Sequence, residues 1–406
     1  NRSRLNGAEH TADGELRGAN RMAEQRLGII MHGVTGRMGT NQHLARSIVA
    51  MRNQGGVLLK NGDRIVLDPI LVGRSEEKLR TLARDYGVVR WTTDLGAALA
   101  DPRDRLFFDA GTTQMRATLI ERAILAGKDI YTEKPVAENI DDALKVATLA
   151  QKAGIANGVV QDKLFLPGLI KLKRLRDEGF FGRILAVRID FGYWVFDGFE
   201  APAQRPAWNY QLGQGGGIIL DMFCHWRYVL DHTIAPVTGV CCIGRNHIAQ
   251  RRDDEGESYN ADADDGAFAM LELEGNVIAQ IASSWATRVR RDDLVTVHVD
   301  GTAGSAVAGL QRCWVQGGAE TPRPIWNPDE PQSMTFPDEW REVYASESFD
   351  NGFKAQWLLF LRHLYDGTPY IYDLMEGVKG VQLADAALKS WRTRRWVDIG
   401  APVGMA

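Results

Sequence analysis

The sequence predicts an α/β chain in two parts, the first a doubly wound parallel sheet and the second an α/β unit of different rhythm. Three observations carry this. At 406 residues the chain exceeds what one hydrophobic core ordinarily spans. Between residues 27 and 135, short apolar strands alternate with helical stretches, and a glycine-spaced turn follows the first strand. From about Gly158 the pattern shifts toward strands with one apolar and one polar face.

Composition narrows the functional classes. Hydrophobic residues make up 45% and charged residues 25%, the balance of a globular protein. A net charge of −4 gives no reason to expect nucleic acid as a partner. Charge interrupts every long apolar stretch, so no membrane span is expected. Cys224, Cys241, Cys242 and Cys313 form no CxxC pair and no zinc-spaced cluster with histidine. They predict reduced thiols, no metal centre and a cytoplasmic protein. Residues 1–25 are polar, without an apolar period or signal-peptide core, and are expected to be a disordered extension with Met22 as a candidate start.

Residues 27–32 read as a buried parallel strand. Gly33-Val34-Thr35-Gly36-Arg37-Met38-Gly39 follows at once, and then a helix over 40–51. Strand, glycine turn and helix together let a pyrophosphate approach backbone N–H groups at a helix N-terminus, although this G-x-x-G-x-x-G is one residue wider than the commonest spacing. A second strand, 65–72, ends in Gly73-Arg74-Ser75. An acid there would bond the ribose 2′-hydroxyl of NAD, and an Arg can accept the 2′-phosphate of NADP. No acid is present, so NAD and NADP both stay open. Helices at 76–86, 95–99 and 115–126 then alternate with strands at 88–92, 106–110 and 129–132. Ligands of such sheets bind beyond the carboxyl ends of the strands, where Gly33, Arg74, Thr112 and Lys134 fall. The cofactor-binding candidates are Gly33, Thr35, Gly36, Arg37, Met38, Gly39, Arg74, Ser75, Thr112, Thr113, Glu133 and Lys134.

In the second part a helix over 167–178 precedes an alternating strand at 184–193. The loop 194–214 carries Trp194, Trp208, Asn209 and Tyr210, whose faces and amide suit a sugar ring and its hydroxyls, or simply pack the domain edge. Asp221 and His225 stand four apart, so on a helix they share a face, and an imidazole suits proton transfer at neutral pH. Strands follow at 237–243, 267–273, 277–284 and 294–300. The acidic loop 250–265 reads as solvated and mobile. Arg288, Arg290 and Arg291 could hold an anionic substituent or form a solvated rim. Helices at 351–365 and 375–392 close this part.

The run Ala126-Gly127-Lys128-Asp129-Ile130-Tyr131-Thr132-Glu133-Lys134-Pro135 resembles the A-G-K-x-[VI]-x-x-E-K-P of the glucose–fructose oxidoreductase and inositol dehydrogenase (Gfo/Idh/MocA) family. The resemblance continues through Gln161-Asp162-Lys163-Leu164-Phe165-Leu166-Pro167 and Phe181-Gly182-Arg183-Ile184, and again from Gly215 to His225. It covers nearly the whole chain. It implies a Rossmann domain (26–157) binding NAD or NADP, then a substrate and oligomerisation domain (158–406). That second domain is α/β with a large, open, mainly antiparallel sheet, and a homo-oligomer, dimer or tetramer, is expected. The Lys134–Pro135 bond is often cis in the family. Lys134 would touch nicotinamide and substrate, with Asp221 and His225 facing them. Asp162 and Lys163 would contact substrate, although the family usually has Arg where Lys163 stands.

The implied activity is hydride transfer between the nicotinamide and a secondary alcohol of a sugar, polyol or glycoside. His225 would take the hydroxyl proton, Lys134 would stabilise the charge on oxygen, and Asp221 would orient His225 or a neighbouring hydroxyl. Two alternatives share the fold: an NAD-dependent glycosidase working by transient oxidation, elimination, water addition and re-reduction, and a non-catalytic cofactor-sensing regulator. Retention of Lys134, Asp221 and His225 together speaks against the regulator.

Overall fold

The computed structural model describes residues 23–345 and 348–402. The first part runs β1 (Glu24–His32), α1 (Gly39–Val49, wound as a π-helix, continued by Ala50–Asn53), β2 (Val57–Leu58), β3 (Arg64–Val72), α2 (Glu76–Asp85), β4 (Arg90–Thr92) and α3 (Leu95–Ala100). It continues with β5 (Asp104–Asp109), α4 (Thr113–Leu125), β6 (Asp129–Thr132), α5 (Ile140–Ala153) and β7 (Asn157–Val159). These strands form one sheet in the order β2-β3-β1-β5-β6-β7, with β4 on β3, and only β2 runs antiparallel. The strands are parallel because helices return the chain across both faces, and their apolar runs are buried on both sides. Register puts the carboxyl ends in one row: His32 lies beside Val72 and Asp109, and Asp109 beside Thr132. The crevice above that row is where a doubly wound sheet binds ligands.

The second part contains α6 (Pro167–Asp177), β8 (Ile184–Gly192), α7 (Ile218–Thr233), β9 (Val237–Arg245), β10 (Gln250–Arg252), β11 (Ser258–Asn260), β12 (Gly266–Leu273) and β13 (Val277–Ser284). It ends with β14 (Val295–Gly301), β15 (Gly304–Ala308), β16 (Cys313–Gly317), β17 (Arg341–Glu342), α8 (Gly352–Asp366), α9 (Leu374–Thr393) and β18 (Val397–Asp398). Nine strands make an open sheet, β17-β16-β15-β14-β8-β13-β12-β9-β18, antiparallel except for the β8–β13 pair. Alternation is clean along β12 and β13, where Ala269, Leu271, Ala279 and Ile281 face the core and Phe268, Met270 and Ile278 face outward. Helix α7 is covered almost all round, packed against this sheet and against α9. Among the described residues no helix is long and apolar enough to cross a membrane.

Three expectations change. Ala23–Gln25 is not part of a disordered extension: Arg64 N donates to Ala23 O, and Glu24 and Gln25 pair with Arg64 and Ile65. Residues 1–22 of that extension lie outside the described residues. The acidic loop 250–265 is structured rather than simply solvated. It contains the β10–β11 hairpin, and the buried Arg251 guanidinium donates to the buried Asp265 carboxylate (2.6 Å), so part of its charge is internal. The late helices also serve the first sheet. The apolar face of α8 places Trp357, Phe360 and Leu361 against Phe108 and Tyr131, and the start of α9 packs on the opposite face of that sheet.

Candidate active site

The segment Glu133–Pro135 leaves β6 toward the crevice and is held at three points. Glu133 N donates to Asp109 O (2.8 Å), Lys134 N to Glu133 Oε2 (3.0 Å), and Arg116 Nη1 to Pro135 O (2.6 Å). Arg116 also bonds Asp109 Oδ2, whose other oxygen takes His32 Nδ1. The Lys134–Pro135 bond is cis. Lys134 is thus presented by a fixed backbone, with its side chain directed at the start of α7.

That start is fixed by a cap from another element. Ile218 N donates to Asp264 O and Ile219 N to Asp264 Oδ2 (2.8 Å each), satisfying donors that a helix N-terminus leaves open. Gly217 (φ 122°) is required there, because any side chain would strike the Asp264 carboxylate. One turn in, Asp221 meets two cations. Lys134 Nζ donates to Asp221 Oδ1 (2.9 Å) and to its carbonyl (3.1 Å), and Arg205 Nη1 donates to Oδ2 (2.7 Å). Burial opposes the charge on Asp221, but Arg205 and Lys134 hold its carboxyl well below the usual range. Burial likewise opposes the Lys134 ammonium, and Asp221 beside it raises its pKa above the ordinary lysine value. Arg205 is itself gripped, bonded to Asn209 Oδ1 (3.0 Å) and stacked between Trp285 and Phe196.

His225 belongs to a second cluster. Its Nδ1 lies 2.6 Å from the Tyr228 hydroxyl, which donates to Asp162 Oδ1 (3.2 Å), and its Nε2 lies 3.4 Å from Lys163 Nζ. Burial and then Asp162 push the Tyr228 hydroxyl well above its ordinary value, so it keeps its proton. That single proton goes to Asp162, and an ammonium beside Nε2 can only donate. Both ends therefore assign the ring proton to Nδ1 and a lone pair to Nε2. Burial, with Lys163, Lys134 and Arg205, pushes the imidazole well below its ordinary value, so it is neutral at neutral pH.

The glycine turn fits a dinucleotide. Gly33 (φ 75°) has no room for a Cβ against the backbone of Ala110 and Gly111, and Gly39 has none against Gly33 and Val34. Gly36 differs: a Cβ there would meet nothing nearer than Gly33 O at 3.6 Å, so its bareness leaves the outer side of the turn open to a ligand. Thr35, Gly36, Arg37 and Met38 are exposed around it, and Thr112 and Thr113 open the next strand end. Arg74 is exposed at the end of β3, while Ser75 Oγ caps α2 by accepting from Lys78 N.

The structure thus brings together Lys134, Asp221, His225, Asp162, Lys163 and Asn209. Of these, Asn209 and Asp221 border a cavity of about 40 Å³ that Trp208 also lines, with Thr113 and Pro135, whereas Lys134, His225, Asp162 and Lys163 do not line it. Tyr210 stands apart: it is buried under Arg251 and Trp285, and its hydroxyl donates to Phe196 O (2.5 Å), leaving nothing for a ligand. Trp194 is exposed beside Tyr193, outside both clusters. Arg291 bonds Gly192 O and Leu294 O, and Arg288 and Arg290 are exposed, the pattern of a rim. Asp221 does not orient His225; Tyr228 and Asp162 do. Tyr228 had a signal, three residues after His225 on the same helical face. Arg205 had none, since it sits in an aperiodic loop.

A family model described as an oxidoreductase family with an NAD-binding Rossmann fold matches residues 28–160, and one for the GFO/IDH/MocA C-terminal domain matches residues 169–307. The chain is 50% identical over 375 residues to D-xylose dehydrogenase of Paenarthrobacter nicotinovorans, covering 91% of this chain and 97% of that one. It is 25% identical over 260 residues to 1,5-anhydro-D-fructose reductase of Ensifer adhaerens, covering 62% and 70%. A solved structure of levoglucosan dehydrogenase in complex with NADH shares the fold with a TM-score of 0.78 at 19% identity, covering 93% of this chain and 100% of that one. Two clusters of this chemistry above a dinucleotide cradle, with a relative this similar along almost its whole length, lead to one assignment: the chain belongs to the Gfo/Idh/MocA family of NAD(P)-dependent oxidoreductases.

Proposed function

We propose that this oxidoreductase dehydrogenates an aldopyranose, D-xylose or a close relative, at one H–C–O–H unit. The substrate class rests on the 50% identical D-xylose dehydrogenase. One observation carries the mechanism: α7 presents Asp221 with Lys134 and His225 with Tyr228 to the same side, one turn apart. When bound, the dinucleotide supplies the carbon that accepts the hydride. The chain's own groups handle the hydroxyl. His225 Nε2 carries the ring's lone pair and faces Lys163 Nζ (3.4 Å) until a substrate hydroxyl takes that place; it then accepts the hydroxyl proton as the carbonyl forms, and Tyr228 and Asp162 steady the resulting imidazolium through Nδ1–H. Lys134, kept charged by Asp221, donates to the same oxygen and stabilises the negative charge that develops there. Arg205 holds the far oxygen of Asp221, so Lys134 is positioned without being neutralised.

Replacing Lys134 by Ala is expected to lower kcat by at least about 100-fold while the dinucleotide still binds, since one preorganised donor at a developing oxyanion is worth roughly that factor. Turnover with a panel of aldoses, followed by NAD(P)H absorbance, checks it, and undiminished turnover of the variant refutes the role. Release of an aglycone from a glycoside without net NAD(P)H would instead favour the redox-neutral cleavage.

Two further parts of the proposal concern cofactor and assembly. No acid stands at the end of β3 and Arg74 is exposed, which supports use of NADP as well as NAD. The outward face of the nine-stranded sheet carries Leu185, Ile243, Phe268, Met270 and Ile278, the last 51% exposed, which supports a homo-oligomer formed through that face.

A further inference from the structure

We infer that His43 is a positioning residue for Lys134, acting through Glu133, and that it ties the helix of the glycine turn to the reacting amine. The inference rests on the proposed role of Lys134. His43 lies on α1, directly after the glycine turn, and is fully buried. Trp357 Nε1 on α8 donates to its Nδ1 (3.0 Å), and its Nε2 lies 2.8 Å from Glu133 Oε1. An indole nitrogen can only donate, so Nδ1 must accept and the ring proton must sit on Nε2, pointed at Glu133. The other oxygen of Glu133 receives the backbone N–H of Lys134 (3.0 Å). A line of three hydrogen bonds thus runs from a late helix, through α1, to the peptide that carries the reacting side chain.

A buried histidine with both nitrogens bonded is ordinarily a satisfied piece of core, and His43 packs against Phe108 and Phe353 like one. The difference lies in what it bonds. Glu133 is a buried carboxylate, and burial opposes its charge; the hydrogen bond from His43, with the charges of Lys134 and Arg116, holds it below the usual range. A core that needed only volume would be served as well by an apolar pair. Here the carboxylate orients the Lys134 peptide, and the imidazole orients the carboxylate. Protonating His43 would set two donors against each other at Nδ1, so the relay has one arrangement. Because α1 begins at the glycine turn, the relay and the turn share one helix.

The test compares His43→Phe, which keeps ring volume and loses the donor, with His43→Gln, which loses the ring and keeps an N–H near the Nε2 position. Positioning predicts that His43→Phe lowers kcat by on the order of 10- to 100-fold, the effect of a small misplacement of a reacting group. It also predicts that dinucleotide affinity, measured by quenching of protein fluorescence, is little changed, and that His43→Gln recovers most of kcat. Packing predicts the reverse order, with Phe the better tolerated, and that order overturns the inference. A double-mutant cycle with Glu133→Gln gives a second reading: His43→Phe should cost nothing further once Glu133→Gln has broken the relay, and additive losses overturn the claim. The cycle can be run with His43→Gln if His43→Phe does not fold. Lys134→Ala, assayed alongside, separates the cases. An active Lys134→Ala removes the reading of the site itself, whereas an inactive one beside a fully active His43→Phe removes only the relay.

Discussion

At neutral pH His225 is an uncharged imidazole whose unprotonated nitrogen is Nε2, and the sign of its pKa shift sets a pH dependence. A proton acceptor works in its neutral form. Burial and three nearby cations lower the pKa, so the neutral form persists as pH falls through the ordinary histidine value. The acid limb of kcat/KM should therefore lie clearly below about 6.5, which a pH–rate profile from 4 to 9 would show; a limb centred at the ordinary value would contradict it. Tyr228→Phe leaves the Nδ1 proton without its acceptor, so the ring loses one of the two contacts that orient it. It should lower kcat by about 10-fold or more, as loss of an orienting partner commonly does, with thermal stability near that of the parent chain. Arg74→Ala should raise KM for NADP by about 10- to 100-fold, the worth of a charge-assisted hydrogen bond, and leave KM for NAD nearly unchanged. Equal effects on both cofactors would show that Arg74 does not meet the 2′-phosphate.

Helix α7 is the element on which the site depends, because Asp221 and His225 are both its side chains. Its first turn is closed by Asp264, from the far end of the acidic loop. Asp264→Ala should destabilise the protein by about 1–2 kcal/mol, the range for a lost N-cap, and should lower kcat as well; denaturant unfolding and steady-state kinetics together check it. Much of this element was legible. Three glycines before Asp221, and the four-residue interval to His225, announced a tight entry and a shared face. The cap was not, since Asp264 lies 43 residues beyond Asp221 in the sequence and a cap from a distant segment leaves no local spacing to read. The same holds for Arg205 and Tyr210. Both sit in a loop without periodicity, where an aromatic or a cation reads alike whether it lines a cleft or fills the core. Within the first sheet, by contrast, strand, glycine turn and helix follow one another locally, so Gly33, Gly36 and Lys134 could be placed at strand ends from the sequence alone.

For the molecule as a whole, the alternation of apolar and polar residues predicts strands in the second part but not their order. The neighbours β8 and β13 are separated by 84 residues, from Gly192 to Val277 counted between them, and nothing local encodes such a pairing. The placement of α8 under the first sheet is hidden for the same reason: its apolar stripe says that it packs, not against what. The outward face of the large sheet makes a prediction at this scale. If the proposed homo-oligomer forms through that face, Phe268→Glu combined with Ile278→Glu should convert it to single chains by light scattering, and an unchanged mass would exclude that face as the interface. Both positions lie on the sheet face away from α7, so the site should survive in the separated chains. The central claim is that a lysine from the nucleotide-binding half and a histidine from the other half act on one oxygen. It is tested most directly by a crystal structure of the protein with its dinucleotide and D-xylose. The account predicts a single sugar hydroxyl within about 3 Å of both Lys134 Nζ and His225 Nε2; a sugar bound with its reacting oxygen near only one of them, or near neither, would contradict it.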